Sequence, residues 1–420
     1  MPEHNRGEIT RADERGAAGR SGGRRRARVL AVGGAAAAAA LVLSACGGKD
    51  GASGKAGDAA SSSASIAITP ATDAAKVDTD KPVKVTASGG KLTEVKVTGP
   101  DGKAATGAMG SGGTSWQSSG HLETGAKYTV TATAKDSDGH STTKTSGFTT
   151  LKPEHPVNFK INTADGGTYG VGMPVSITFD QKITDKAAVQ KALEVSTSPH
   201  VDGAWSWVQD RSAENPGRID FRPKEYWKPG TKVTVKANLN GVNTGGRHYT
   251  AKNASETWTV GRSLIATADN SAHTLTVEKD GKKVRTLPVT LGAPGRDTWG
   301  GVMPVLDKQH KVYMTSQSVG YGDEYKDWYY YAVHLTPSGT YAHMNKAADT
   351  FGGNTNETHG CIGMRTNGDA KWFYDQVIPG DVFDVKHAPE TVAEGNGYGD
   401  WNVSWDQWLA KSAIKGGGNG

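Results

Sequence analysis

His273-Thr274-Leu275-Thr276-Val277, a turn at Lys279-Asp280-Gly281, and the run Val284 to Val289 decide the fold class. Apolar and polar residues alternate on both sides of the turn, as a half-buried strand requires. Asp-Gly supplies the positive φ angles of a tight two-residue loop. A β-hairpin is therefore expected to open a block that begins at Ser263 and runs to about Pro389.

Working back along the chain, the same texture recurs. Between Ile66 and Thr150 the strand-like runs are Ile66-Ala67-Ile68, Val83 to Thr86, Thr93 to Val97 and Tyr128 to Ala132, separated by turns such as Gly99-Pro100-Asp101-Gly102. This spacing fits a small immunoglobulin-like sandwich. From Pro156 to about Gly261 the pattern returns in Val175 to Phe179 and Val233 to Ala237. One helix is expected there, from Lys186 to Leu193, with Asp185 as its N-cap. The fold class is thus mainly β, with two tandem immunoglobulin-like β-sandwiches followed by a β-rich third block. The expected divisions are 66–152, 153–262 and 263–389, then a tail over 390–420. Trp401, Trp405 and Trp408 are expected to pack that tail against the third block.

At the front, Arg24 to Arg28 precedes an uncharged, Ala-rich stretch ending in Leu43-Ser44-Ala45-Cys46. A basic run, a short apolar run and small residues before a cleavage point make an export signal over 1–45. Small residues just before a cysteine resemble a bacterial lipobox, which implies lipidation of Cys46 and an extracytoplasmic, membrane-anchored protein. A Gly-, Ala- and Ser-rich tether over 46–65 would then let the rest stand off the membrane. Residues 1–45 hold eight arginines against four acidic residues, so nearly all of the net charge of +5 lies there. The remaining chain is close to neutral and carries no electrostatic footprint for nucleic acid.

Only two cysteines are present, Cys46 and Cys361. If the first carries lipid, the second is an unpaired thiol in an exported protein and asks for a chemical role. It sits in Asn354-Thr355-Asn356-Glu357-Thr358-His359-Gly360-Cys361-Ile362-Gly363-Met364-Arg365, preceded by Tyr341-Ala342-His343. A thiol attacks a carbonyl only as thiolate, so a nearby imidazole is the usual activator. His343, on a separate strand, can approach the sulfur as general base. His359 would share a face with Cys361 on an extended segment, or lie beneath it as a brace on a turn. Gly360 leaves room for a carbonyl to approach, with the N–H groups of Gly360 and Cys361 available to an oxyanion. The three residues Cys361, His343 and His359 could alternatively ligate zinc, although no fourth ligand is evident. Ser141-Thr142-Thr143-Lys144 and Lys144-Thr145-Ser146-Gly147 mimic serine acyltransferase motifs, but they overlap and so read as one sandwich strand.

The third block resembles the catalytic domain of the L,D-transpeptidases, whose pattern is a first His followed later by Ser/Thr-His-Gly-Cys. Here those positions are His343, Thr358, His359, Gly360 and Cys361, and the likeness extends through Lys371 to Asp375 and Pro379 to Phe383. The resemblance implies Cys361 as nucleophile and His343 as base, with the Met344 carbonyl fixing the imidazole tautomer. It implies a substrate-facing tyrosine in a lid at Tyr325, contacts to substrate from Thr358 and Arg365, and acylation by carbapenems. It also implies a cross-linking reaction on peptidoglycan stem peptides by a monomer without metal or organic cofactor. Water or a protein amine as acceptor, or a non-catalytic wall-binding lipoprotein, are the alternatives. Two departures stand out. Gly363 lies where the family commonly has Asn or Arg, and Asp297-Thr298-Trp299-Gly300-Gly301 replaces a Thr-Pro-x-Gly pattern.

Overall fold

Strict alternation places Tyr128, Val130, Ala132 and Ala134 on the buried face of the strand Lys127–Lys135. That face closes over Val83, Val85 and Trp116 from the opposing sheet, giving the first sandwich its core. One sheet orders Ser65–Thr69, Lys84–Ser88, Ser115–Ser118 and Gly107–Met109, and the other Ala74–Val77, Ser141–Thr150, Lys127–Lys135 and Lys91–Thr98. In this computed structural model the described residues are 61–211 and 217–415. The leader, Cys46 and most of the tether lie outside them. Among the described residues no helix is long and apolar enough to cross a membrane.

The second sandwich is richer in aromatics. Trp205, Phe221, Trp227 and Trp258 are fully buried, with ring centroids 5.3 to 6.2 Å apart along the chain of contacts. Its sheets are Thr168–Tyr169, Ala254–Val260, Lys232–Ala237 and Leu193–Ser198, facing Gly203–Val208, Arg218–Pro223, Val175–Phe179 and Phe159–Ile161. The helix Lys186–Lys191 is capped by Asp185, which accepts from the Ala188 N–H at 2.9 Å. It ends before Leu193 because that residue opens a strand whose partner is Ala237. The two sandwiches meet where Thr79 Oγ1 donates to the Gly241 carbonyl at 2.6 Å. Gly241 has φ +97, and a Cβ there would lie 1.8 Å from the Leu122 carbonyl oxygen.

A nine-stranded sheet follows, in the order Gly301–Val302, Val382–Lys386, Leu264–Asp269, Thr274–Lys279, Lys282–Thr290, Ile362–Met364, Thr340–Met344, Lys326–Thr336, Asp307–Thr315. Asp280 and Gly281 have φ of 49° and 74°, so the opening hairpin turns as its Asp-Gly requires. The helix Asp369–Gln376 packs Ala370 and Phe373 into the core beneath the sheet.

The tryptophan tail departs from expectation. Trp408 is buried with Ala204 and Val208 of the second sandwich, and its Nε1–H donates to the Ala204 carbonyl at 2.9 Å. Trp401 donates to the Gly172 carbonyl at 2.8 Å, and the Arg222 guanidinium lies 4.6 to 5.3 Å from the Trp401, Trp405 and Trp408 rings. Burial of Trp408 against Ala204 and Val208, with the Arg222 cation beside all three rings, holds the tryptophans on the second sandwich rather than the third block. The third block holds the tail between the tryptophans' contacts, through the Gly300–Thr391 bridge, buried Val392 and two bonds between Asn402 and Val302.

Candidate active site

Two short parallel strands set the geometry. Thr340–Met344 pairs with Ile362–Met364 in the register Ala342 to Ile362, His343 to Gly363 and Met344 to Met364. Ala342 and Ile362 point into the core. Alternation then turns His343, and Cys361 just before Ile362, to the other face. Both line one cleft, together with Met314, Tyr325, Tyr329 and Asn345.

The His343 ring is almost completely buried, and its Nδ1–H donates to the Met344 carbonyl at 2.8 Å. This bond fixes the tautomer and leaves Nε2 as the basic nitrogen. Tyr329 packs edge-on against the ring at 4.7 Å between centroids. Burial lowers the imidazole to about 4, opposed only in part by the Met344 contact. Burial likewise pushes the Cys361 thiol up to about 11, although the Tyr341 N–H acts against it. At neutral pH the pair is therefore a thiol beside a neutral imidazole, not a preformed ion pair. The resting sulfur lies 3.6 Å from the Gly339 carbonyl oxygen, to which it donates. Cys361 is nonetheless partly exposed as a residue and lines the open cleft.

The turn that carries Cys361 is braced from within. Thr358 Oγ1 donates to the carbonyl of Cys361 at 2.6 Å, and the Thr358 N–H donates to the Leu291 carbonyl at 2.9 Å. The Thr358 hydroxyl is thus engaged by the turn itself rather than held out for substrate. Gly360 has φ +103, while a Cβ there would meet nothing closer than 3.4 Å. Glycine is required at this position by the backbone angle rather than by crowding. The segment at Asp297 is tied to the strand end beside the cysteine turn, since Thr298 Oγ1 accepts from the Gly292 N–H at 2.9 Å and Gly292 bridges to Thr358.

His359 neither braces Cys361 from beneath nor bonds to it. Its Nε2 meets Glu324 Oε2 at 2.7 Å and is also approached by Arg296, which forms an ion pair of 2.8 Å with the same carboxylate. Tyr321 and Tyr325 pack edge-on against its ring. Tyr325 lines the cleft from the segment after Thr315, the one that the family resemblance makes a lid, whose shape is set by buried Ser316. The Ser316 hydroxyl accepts from the N–H groups of Glu324 and Tyr325 and donates to the Gly322 carbonyl. Arg365 stands apart from the cleft. Its guanidinium donates to the carbonyls of Ala348 and Gly352, anchoring the end of the helix Ala347–Phe351.

Sequence reasoning did not single out Tyr329, Asn345 or Glu357 as lining residues. Asn345 could have been found by strand alternation from His343. Glu324 could not, since nothing local links it to a histidine 35 residues away.

A model of the bacterial Ig domain matches residues 74–243, and one of the L,D-transpeptidase catalytic domain matches residues 263–385. The chain is 33% identical to L,D-transpeptidase 2 of Mycobacterium tuberculosis over 80% of its own length and 82% of that protein. It is 32% identical to L,D-transpeptidase 5 of the same organism, over 83% and 77% of the two chains. A solved structure of an L,D-transpeptidase in complex with imipenem is 31% identical, covering 56% of this chain and all of that one, with a TM-score of 0.47.

Proposed function

The chain belongs to the L,D-transpeptidase family, and from that premise we propose that Cys361 forms a thioester acyl-enzyme with peptidoglycan stem peptides and passes the acyl group to a second stem. The observation that carries this reading is the shared cleft of Cys361 and His343, with Nδ1 of the imidazole committed to Met344.

Cys361 Sγ attacks the carbonyl carbon of the third stem residue as its proton passes to His343 Nε2. The N–H groups of Gly360 and Cys361 stabilise the oxyanion. The imidazolium then protonates the departing amine of the terminal D-alanine. In the second step the amine of another stem attacks the thioester, its proton returns through His343 to sulfur, and a link between two third-position residues results. Because thiol and imidazole are both neutral at rest, proton transfer accompanies attack instead of preceding it. Before attack the sulfur must exchange its contact with Gly339 for one with the ring.

A carbapenem would acylate the same free thiol, Cys361 Sγ bonding to the β-lactam carbonyl as the ring C–N bond opens and its nitrogen takes the proton. The sequence Leu43-Ser44-Ala45-Cys46 supports a lipid anchor on Cys46 and action on the outer face of the membrane. The two sandwiches then serve as spacers across the wall.

Purified protein incubated with a stem tetrapeptide and an amine acceptor tests the reading. D-alanine release and a cross-linked product are expected from the wild type, and neither from Cys361→Ala or His343→Ala. Equal product from Cys361→Ala would refute it.

A further inference from the structure

Asn345 follows His343 by two residues and lines the same cleft as Cys361 and His343. Its side chain is held at one end only. Oδ1 accepts from the Ala347 N–H at 2.9 Å, and among the described residues nothing accepts from Nδ2. A carboxamide pinned by its oxygen presents its NH₂ group in a fixed direction, with little rotamer entropy left to lose on binding. Gly363, opposite His343 in the register, makes the space for it. A Cβ at Gly363 would lie 3.1 Å from the Asn345 Cβ and 3.0 Å from Thr290 Cγ2. A side chain at Gly363 would press on Asn345, which would have to shift by a few tenths of an ångström to admit it.

We propose that the Asn345 carboxamide is a donor-binding and specificity-determining group, its Nδ2 hydrogen-bonding a carbonyl or carboxylate oxygen of the acyl-donor peptide beside Cys361. The proposal rests on the stem-peptide reading above. A free donor is matched by an oxygen acceptor, and a half-exposed amide at the cleft wall can make this bond without first being stripped of a protein partner. A backbone carbonyl and a free side-chain carboxylate of the donor share that chemistry, so the test must separate them.

The experiment compares wild type, Asn345→Asp and Asn345→Ala in D-alanine release from a stem tetrapeptide, with the third-residue carboxylate either free or amidated. Asn345→Asp keeps the oxygen that accepts from Ala347 and loses the donor. It is expected to lower kcat/KM at least about tenfold, the loss of roughly one good hydrogen bond, with Tm held and iodoacetamide labelling of Cys361 still proceeding. A larger loss with the free carboxylate in Asn345→Ala, which adds no repelling charge, assigns the bond to that group, and an equal loss in that variant assigns it to a backbone carbonyl. If Asn345→Asp stays within about twofold of wild type while Asn345→Ala alone loses stability, Asn345 only anchors the helix and the proposal is overturned. A wild type that releases no D-alanine would instead remove the transpeptidase reading itself.

Discussion

Glu324 and His359 meet at 2.7 Å, closing the lid that holds Tyr325 onto the turn that presents Cys361. Arg296 joins the same carboxylate, so three segments converge beside His359. The contact to His359, ahead of the Arg296 charge, holds the Glu324 carboxyl below its ordinary range. Glu324→Ala is expected to free the lid, raising KM for the donor severalfold with a smaller change in kcat. Steady-state kinetics at low and high salt check this, since an exposed latch of this kind weakens with ionic strength. An unchanged KM would mean that the lid does not need the latch.

The titration of the central pair gives a second test. His343 is buried neutral at about 4 and Cys361 sits at about 11, so the competent thiol–imidazole form spans the range between them. The acid limb of kcat/KM is expected well below the ordinary imidazole value, because the folded state resists protonation there. The sign is the same for stability. The unfolded chain binds the proton first, so stability tied to His343 is lost as pH falls from about 6.5 toward about 4. An acid limb centred near 6.5 would show that His343 is solvated in the working enzyme.

Much of this was legible along the chain because strands declare themselves through alternation. Val175–Phe179 was readable to the residue, and Asp280-Gly281 fixed its own turn. Cys361, His343 and Gly360 were legible as a spacing, and the face they share follows once the parallel register is known. What escaped were contacts that depend on tertiary geometry. Arg365 looked available for substrate but serves two helix carbonyls, and the tail tryptophans went to Arg222, a residue nearly two hundred positions away.

The tail also encloses a buried charge cluster. Arg218 faces Asp210 and Asp220 at 2.8 Å and Asp400 at 3.5 Å. Burial, and then the neighbouring Asp220 carboxylate, raise the Asp400 carboxyl well above its ordinary range. Its contribution is therefore fully present below the unfolded carboxyl value and is lost as pH rises through the folded one. Asp400→Asn is expected to match or exceed the wild-type Tm at pH 8, with the difference shrinking toward pH 5. A variant less stable at every pH would mean that the ionised Asp400 is the form the fold requires.

Glu357 places an exposed carboxylate at the cleft, four residues before Cys361. An acceptor amine is mostly cationic in water, so this charge draws it to the cleft ahead of water, and it gives one proton to solvent before it attacks. Glu357→Gln is expected to lower the ratio of cross-linked product to hydrolysed donor several-fold without slowing D-alanine release. Product analysis by mass spectrometry gives both quantities, and an unchanged ratio would remove Glu357 from acceptor choice.

The thioester on Cys361 is the claim on which the rest depends. Intact-mass spectrometry after carbapenem exposure, followed by peptide mapping, reads it most directly. A single adduct on the peptide containing Cys361, absent from Cys361→Ala and formed far more slowly by His343→Ala, is the predicted result. An unmodified wild type, or an adduct that persists in Cys361→Ala, would contradict it.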